Sequence, residues 1–480
     1  MQYNKRVFCL LLTALLLTGC GAAEVSETET TDVTETVADT TVETELTPVL
    51  PDATYGGREF RLFHNDRGNN NDDVIAEDLT GEALNDVVYQ RNLDTEEKFD
   101  VLFSTYLATG DDLGGSAAKT LIAGDDAYDV LICAGASLMT FMGQNLVYDL
   151  NEMPYLDMDM PWWNSNYRDN ISMNGKTFAA AGDISHIVLE SLQFLAFNLD
   201  SFDQLGLEPP YALVRDGDWT FDKYKEMVEG YTQDVNGDGK IDMDDQYGFL
   251  GHDWITPQGF MFTNDVHMCS FEDGLPYIDL ELEKLTTVWE AYSDLTSNYG
   301  TFLTDGEYSN SGVAMFKENR VLFMDATMRA VRFSLRDMEG MWGVLPLPKF
   351  TEDIEEYHAF VGAEANIFMV PVLTTETEMI SGVLEYMAYY GYKNITPVYY
   401  DEILGQKMMR DQDSRDMLDI LRDAMVFDFG TWSSMKSTSG IGNTLLAGQK
   451  NPATYLAANR TKMETELQEL LVTVGAVAEE

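Results

Sequence analysis

The stretch from Gly312 to Lys349 reads GVAMFKENRVLFMDATMRAVRFSLRDMEGMWGVLPLPK, and its order of elements decides the fold class. A helix-like segment carrying Met315 leads into a β-branched and apolar run, Arg320 to Met324, that reads as a strand. Polar Asp325 and Arg329 follow it, a second helical segment comes next, and WGVLPLPK returns the chain in extended form. Strand after helix and helix after strand is the pattern of an open α/β sheet, in which ligands sit beyond the carboxyl ends of strands.

The same alternation runs outward in both directions. Glu59 to Phe63 and Val101 to Leu107 alternate as strands do, with Leu84, Val87 and Val88 at helical spacing between them. Ser116 to Ala123 reads as a helix, and Tyr128 to Cys133 as a strand buried on both faces of a parallel sheet. Leu192 to Asn198 is a further strand. Thr375 to Gly391 is a predicted helix with a capping box at Thr375 and Glu378, a stripe from Met379 to Met387, and Gly391 as its stop. A last helix starts at Asn451 and Pro452 and buries Leu456, Met463, Leu467 and Leu471.

The N-terminus reads as an address. Lys5 and Arg6 precede an apolar stretch, Val7 to Leu17, too short to span a bilayer, and Leu-Thr-Gly-Cys closes it at Cys20. This resembles the lipobox of bacterial lipoproteins, which implies a signal peptide over residues 1–19, a diacylated Cys20 and a location on the outer face of the cytoplasmic membrane. Residues 20–54 hold Thr, Glu, Val, Ala and Asp with too little apolar surface to fold, so they are expected to form a tether reaching about 30 Å. The remaining length exceeds one ordinary core and favours two lobes. The 82 acidic residues against 30 Lys and Arg give a formal charge of -52, which repels nucleic acid phosphates and excludes that partner class. With Cys9 removed and Cys20 lipidated, Cys133 and Cys269 remain, and Cys133 in its apolar run is read as a small buried hydrophobe.

Residues 234–245, DVNGDGKIDMDD, match an EF-hand calcium loop. Asp234, Asn236, Asp238, Asp242 and Asp245 supply side-chain oxygens, Lys240 a backbone carbonyl, and Gly239 the sharp turn. Ile241 is expected to pin the loop inward. Asp245 stands where glutamate is usual, and Tyr247 to Leu250 looks extended, so the motif has one helix, Asp222 to Tyr231, and is read as a structural Ca2+ staple.

Three stretches then resemble the extracellular solute-binding proteins of carbohydrate ABC importers, the maltodextrin-binding class: LQFLAFNLDSFDQL at Leu192 to Leu205, the Gly312 to Lys349 stretch, and Phe360 to Pro371 with the helix after it. The resemblance implies a two-lobed α/β fold with a ligand cleft at the hinge. It divides the chain into an N-terminal lobe of residues 55–190 and 348–395, and a C-terminal lobe of 191–347 and 396–480 that carries the calcium loop. It also implies a monomer that captures a saccharide by closure and hands it to permease subunits in the membrane. A sugar ring needs flat aromatics for its C–H faces and charged or amide groups for its hydroxyls. The candidate contacts are Asp66, Arg67, Trp162, Trp163, Asp183, Trp254, Asp325, Arg329 and Trp432. Two adjacent indoles on one strand face opposite ways, so one of Trp162 and Trp163 is expected to open into the cleft. Where maltodextrin-binding members carry a tryptophan, this chain reads DATMR at Asp325 to Arg329, so its stacking pattern differs.

A peptide or other solute suits the same fold, and a surface adhesin or glycoside hydrolase is the competing class. No GxSxG, HExxH or phosphate-binding glycine loop is present, and the five histidines are scattered along the sequence, which argues against an enzyme.

Overall fold

The computed structural model describes residues 46–65, 73–108, 112, 114–298, 301–304, 310–408 and 412–478. Thr47–Glu480 forms one compact unit built on two sheets flanked by helices. No helix among the described residues is long and apolar enough to cross a membrane.

The first sheet joins β1 (Arg58–Asn65), β2 (Val101–Ala108) and β3 (Val130–Ala134), which are parallel, to an antiparallel β12 (Asn366–Met369) in the order β12-β3-β1-β2. The second joins β4 (Gln193–Asn198), β5 (Tyr247–His252), β8 (Thr301–Thr304), β9 (Val321–Thr327) and β10 (Trp342–Leu345) in the order β10-β4-β9-β5-β8. Within it β5 runs parallel to β8 and β9, and β4 antiparallel to β9 and β10. Two small pairs complete the strands: the hairpin of β6 (Cys269–Glu272) with β7 (Leu275–Ile278), and β11 (Ala359–Phe360) alongside β13 (Met425–Val426).

Side-chain alternation explains the layers. Phe60 and Leu62 of β1, Val130 and Ile132 of β3 and Phe368 of β12 share one face, against which Met379, Ile380, Val383, Leu384 and Met387 of the helix Thr377–Tyr390 pack. Phe63, Leu131 and Cys133 point to the other face. Cys133 and Cys269 are both free and buried.

Three local expectations change. The strand expected at Arg320 to Met324 continues through Asp325 to Thr327, because Asp325 stays in register opposite Leu195 of β4. The next helix, Met328–Ser334, is capped by Thr327, whose side chain accepts from the Ala330 N–H. The helix Thr377–Tyr390 has Glu376 at its N-cap with no side-chain cap bond, so the capping box does not form. Gly391 does not stop it either: its backbone is right-handed, and the chain passes through a π-turn, Gly391–Ile395, into the helix Thr396–Met408. Glycine is required there by crowding, since a Cβ would stand 1.8 Å from the Asp183 carbonyl oxygen. The last helix, Pro452–Thr473, has the expected Asn451 cap.

Candidate functional site

The parallel strands of both sheets end around a common recess. β3 delivers Ala134 to it, β5 ends at His252, and β9 ends at Thr327. The segments entering the antiparallel strands border the same space: Ile187 to Ser191 before β4, and Phe360 to Glu364 before β12. Two adjoining hollows of about 590 and 480 Å³ result, sharing Trp254, Phe360 and Glu364. Each is of a size that takes a small organic ligand.

Trp254 stands between the hollows. It occupies the turn after β5, where its N–H donates to His252 Nδ1 at 3.0 Å, and the helix Ile255–Phe262 begins beside it. The residue is 49% exposed. One edge rests on Gly440, where a Cβ would meet the indole at 3.3 Å and where the backbone φ of +69° also favours glycine. Asn443 fixes the base of the turn by donating to the Asp253 carbonyl at 2.6 Å.

Carboxylates and cations border the indole. Glu190 accepts from Arg332 at 2.5 Å and lies 3.8 Å from Arg329 and 3.5 Å from His186 Nε2. Burial acts to raise its pKa, but His186, Arg332 and Arg329 outweigh it and hold the carboxyl below the usual glutamate value. Arg332 is shared with Glu402 at 2.9 Å. On the opposite border Glu364 folds over Gly362, whose missing side chain leaves room for the carboxylate: a Cβ there would lie 2.2 Å from its oxygens. Lys436, Ser434 and Ser439 extend the polar border of the smaller hollow.

Of the seven described residues among those singled out as ligand contacts, only Trp254 and Arg329 come together here. Asp66 and Arg67 lie outside the described residues. Trp162 and Trp163 are both buried, against the expectation that one opens into the cleft. Each spends its indole N–H on Glu385, at 2.9 and 2.8 Å, which draws both rings to the same carboxylate in spite of their adjacency. Trp432 is buried too, donating to the Val361 carbonyl at 3.1 Å and filling the space above Gly135. Asp183 is enclosed by Arg422 at 2.5 Å and Thr396 at 2.8 Å. Asp325 receives the Gln193 amide at 2.8 Å inside the sheet, and burial raises its pKa to about 7 against the hydrogen bonds of Thr256 and Gln193.

Sequence reasoning missed Glu190, His252, Phe360 and Glu364. Glu364 had a signal: FVGAEA sets one carboxylate among small residues immediately before a strand.

In the calcium-type loop, the helix Phe221–Tyr231 leads in and an antiparallel bridge between Gln233 and Gln246 closes the base. Asp234 accepts from the N–H groups of Gly237 and Gly239, Asp238 from Lys240, and Asp245 from Val235 and Asp242. These side-chain-to-backbone bonds are Asx turns, and they shape the loop from within. Ile241 is 42% exposed rather than pinned inward, since no exit helix stands over it. Among the described residues, no three of the loop's carboxylates lie within 4.8 Å of one another.

Two sheets meeting at one recess form the two-lobed α/β fold of periplasmic solute-binding proteins. Solved structures share it: the GacH receptor of Streptomyces glaucescens, described with acarbose, superposes at a TM-score of 0.55 with 12% identity over 86% of this chain and 99% of that one. An ABC substrate-binding protein of Listeria monocytogenes in complex with cycloalternan superposes at 0.52, with 14% identity over 87% and 99%. The maltose/maltodextrin-binding domain of Bdellovibrio bacteriovorus bound to maltotriose superposes at 0.50, with 14% identity over 87% and 98%. No family model matches the chain, and no curated protein matches it.

Proposed function

We propose that the protein is a solute-binding protein of a carbohydrate ABC importer, taking a mono- or oligosaccharide into the recess around Trp254 and passing it to a membrane permease. The observation that supports this most is the half-exposed indole at the shared edge of two hollows, bordered by Glu190, Arg329 and Glu364. The ring face suits the C–H face of a pyranose, and the ionised groups suit charge-assisted hydrogen bonds to its hydroxyls. Glu190, held ionised by its cationic neighbours, acts as an acceptor rather than a proton donor. The reading is capture and release without bond breaking. Neighbours of the same fold carry saccharides in their described complexes.

With this goes a lipid anchor on Cys20 that holds a monomer on the outer face of the cytoplasmic membrane, and a structural Ca2+ held by Asp234, Asn236, Asp238, Asp242, Asp245 and the Lys240 carbonyl. A thermal-shift panel of mono- and oligosaccharides tests the central reading. Stabilisation by at least one saccharide is expected. Indifference to every sugar, with stabilisation by a peptide pool, overturns the substrate class.

A further inference from the structure

Away from the recess, the fold brings together three residues that are far apart in the chain. Asp265 and His267 lie on the turn that follows the helix Ile255–Phe262, and His358 immediately precedes β11. Each offers one ligand atom, and these atoms all lie within 4.8 Å of one another. His358 Nε2 is 2.7 Å from Asp265 Oδ1, and the His267 and His358 rings stand edge to face with centroids 5.8 Å apart. All three are partly buried, so the group is enclosed but reachable from solvent.

We propose that Asp265, His267 and His358 form a binding site for a divalent transition-metal ion, with zinc the best match. Two imidazoles and one carboxylate are a zinc donor set, and three protein ligands leave a fourth position for water. Hard calcium, which selects all-oxygen sites, is excluded from it. A second observation points the same way: His267 makes no hydrogen bond to any described residue, although its ring is enclosed against Phe262 and His358. No described protein group occupies its ring nitrogens, so they are open to a metal ion that enters from solvent.

The backbone on both sides is already fixed. The Asp265 N–H donates to Phe262 and the Val266 N–H to Met261, and the Met268 N–H donates to Asp428 at 2.8 Å. The Ala359 N–H donates to Ala424 at 2.7 Å. Asp279 adds negative charge beside His267, with Lys284 opposing it. The Asp265–His358 pair is closer than two ligands of one tetrahedral zinc, so it opens slightly as the metal replaces the shared proton. Phe262, at the end of the helix that follows Trp254, stacks on Phe360 of β11 at 5.9 Å, so an ion held by Asp265, His267 and His358 would tie that helix end to β11.

The test is calorimetric titration of ZnCl2 into chelator-treated protein in excess Ca2+, which keeps the oxygen-rich loop saturated. One equivalent of zinc is expected to bind with a dissociation constant in the micromolar range or below. His267→Ala and His358→Ala should each weaken it by more than the roughly 10- to 100-fold that loss of an outer partner costs. Asp238→Ala in the calcium-type loop should leave it unchanged. In the unsubstituted protein, zinc should also protect His267 and His358 from carbethoxylation by diethyl pyrocarbonate, read by peptide mass spectrometry. Absence of a zinc equivalent, binding indifferent to both histidine substitutions, or modification of the two rings unaltered by zinc overturns the proposal.

Discussion

Tryptophan meets carboxylate in two parts of this molecule, with opposite results. At Trp162 and Trp163 both indole N–H groups converge on Glu385, the rings are covered, and Tyr389 packs edge-on against Trp162 at 5.3 Å. At Trp254 the ring stays half exposed between two hollows, with carboxylates standing apart across the gap. The first arrangement has no donor or face left for a guest, so it stabilises the fold. The second has a face and polar groups but little packing, so its removal costs the fold little. Residue type is the same in both; what differs is whether the polar edge is already satisfied from within.

The largest expected effect lies on the closed side. Trp162→Ala should lower unfolding free energy by about 3–5 kcal/mol, read by denaturant titration, with saccharide affinity retained in the folded fraction. Trp254→Ala should reverse the pattern, with affinity down about tenfold or more in calorimetry and the midpoint of unfolding almost unmoved. Equal effects of the two substitutions on both readouts would erase the distinction.

A smaller effect concerns pH. Burial, opposed by the two indole hydrogen bonds, raises the Glu385 pKa from 4.5 to about 7. The folded state therefore holds a proton that the unfolded state gives up, so this contribution to stability is full below about pH 4.5 and is lost as pH rises through about 7. Glu385→Gln should flatten the fall in stability across that window. Asp325, raised to about 7, and Asp428, raised to about 6, bend the curve the same way in both proteins, so the difference between the two isolates Glu385. An unchanged slope would show that the carboxylate titrates normally. The smallest effect is that of calcium: chelation should lower the melting temperature by a few degrees without abolishing sugar binding, and an identical curve with and without bound calcium would remove the metal from that loop.

Much of this fold was legible because burial imposes periodicity. The apolar run before Ala134, the alternation of Glu59 to Phe63 inside β1 and the Asn451 and Pro452 helix start each carry their own signal. Signals that depend on contacts were not legible. Gly391 reads as a helix stop but is a close-packing site under Asp183, and Asp325 reads as a loop residue but is held in the sheet by Gln193. The recess was legible in part. Trp254 and Arg329 follow strands in the sequence, whereas Glu190 and Glu364 lie before strands and reach the same end only because β4 and β12 run antiparallel to their neighbours. His267 and His358, read as scattered, meet because the chain returns along β11.

The central claim is that the open tryptophan, and not the buried pair, holds the solute. The most direct measurement is calorimetric titration, with the saccharide that most raises the melting temperature, of the unsubstituted protein beside Trp254→Ala and Trp163→Phe. The account predicts saturable binding that is lost or weakened about tenfold or more in Trp254→Ala and preserved in Trp163→Phe. Undiminished binding by Trp254→Ala would contradict it.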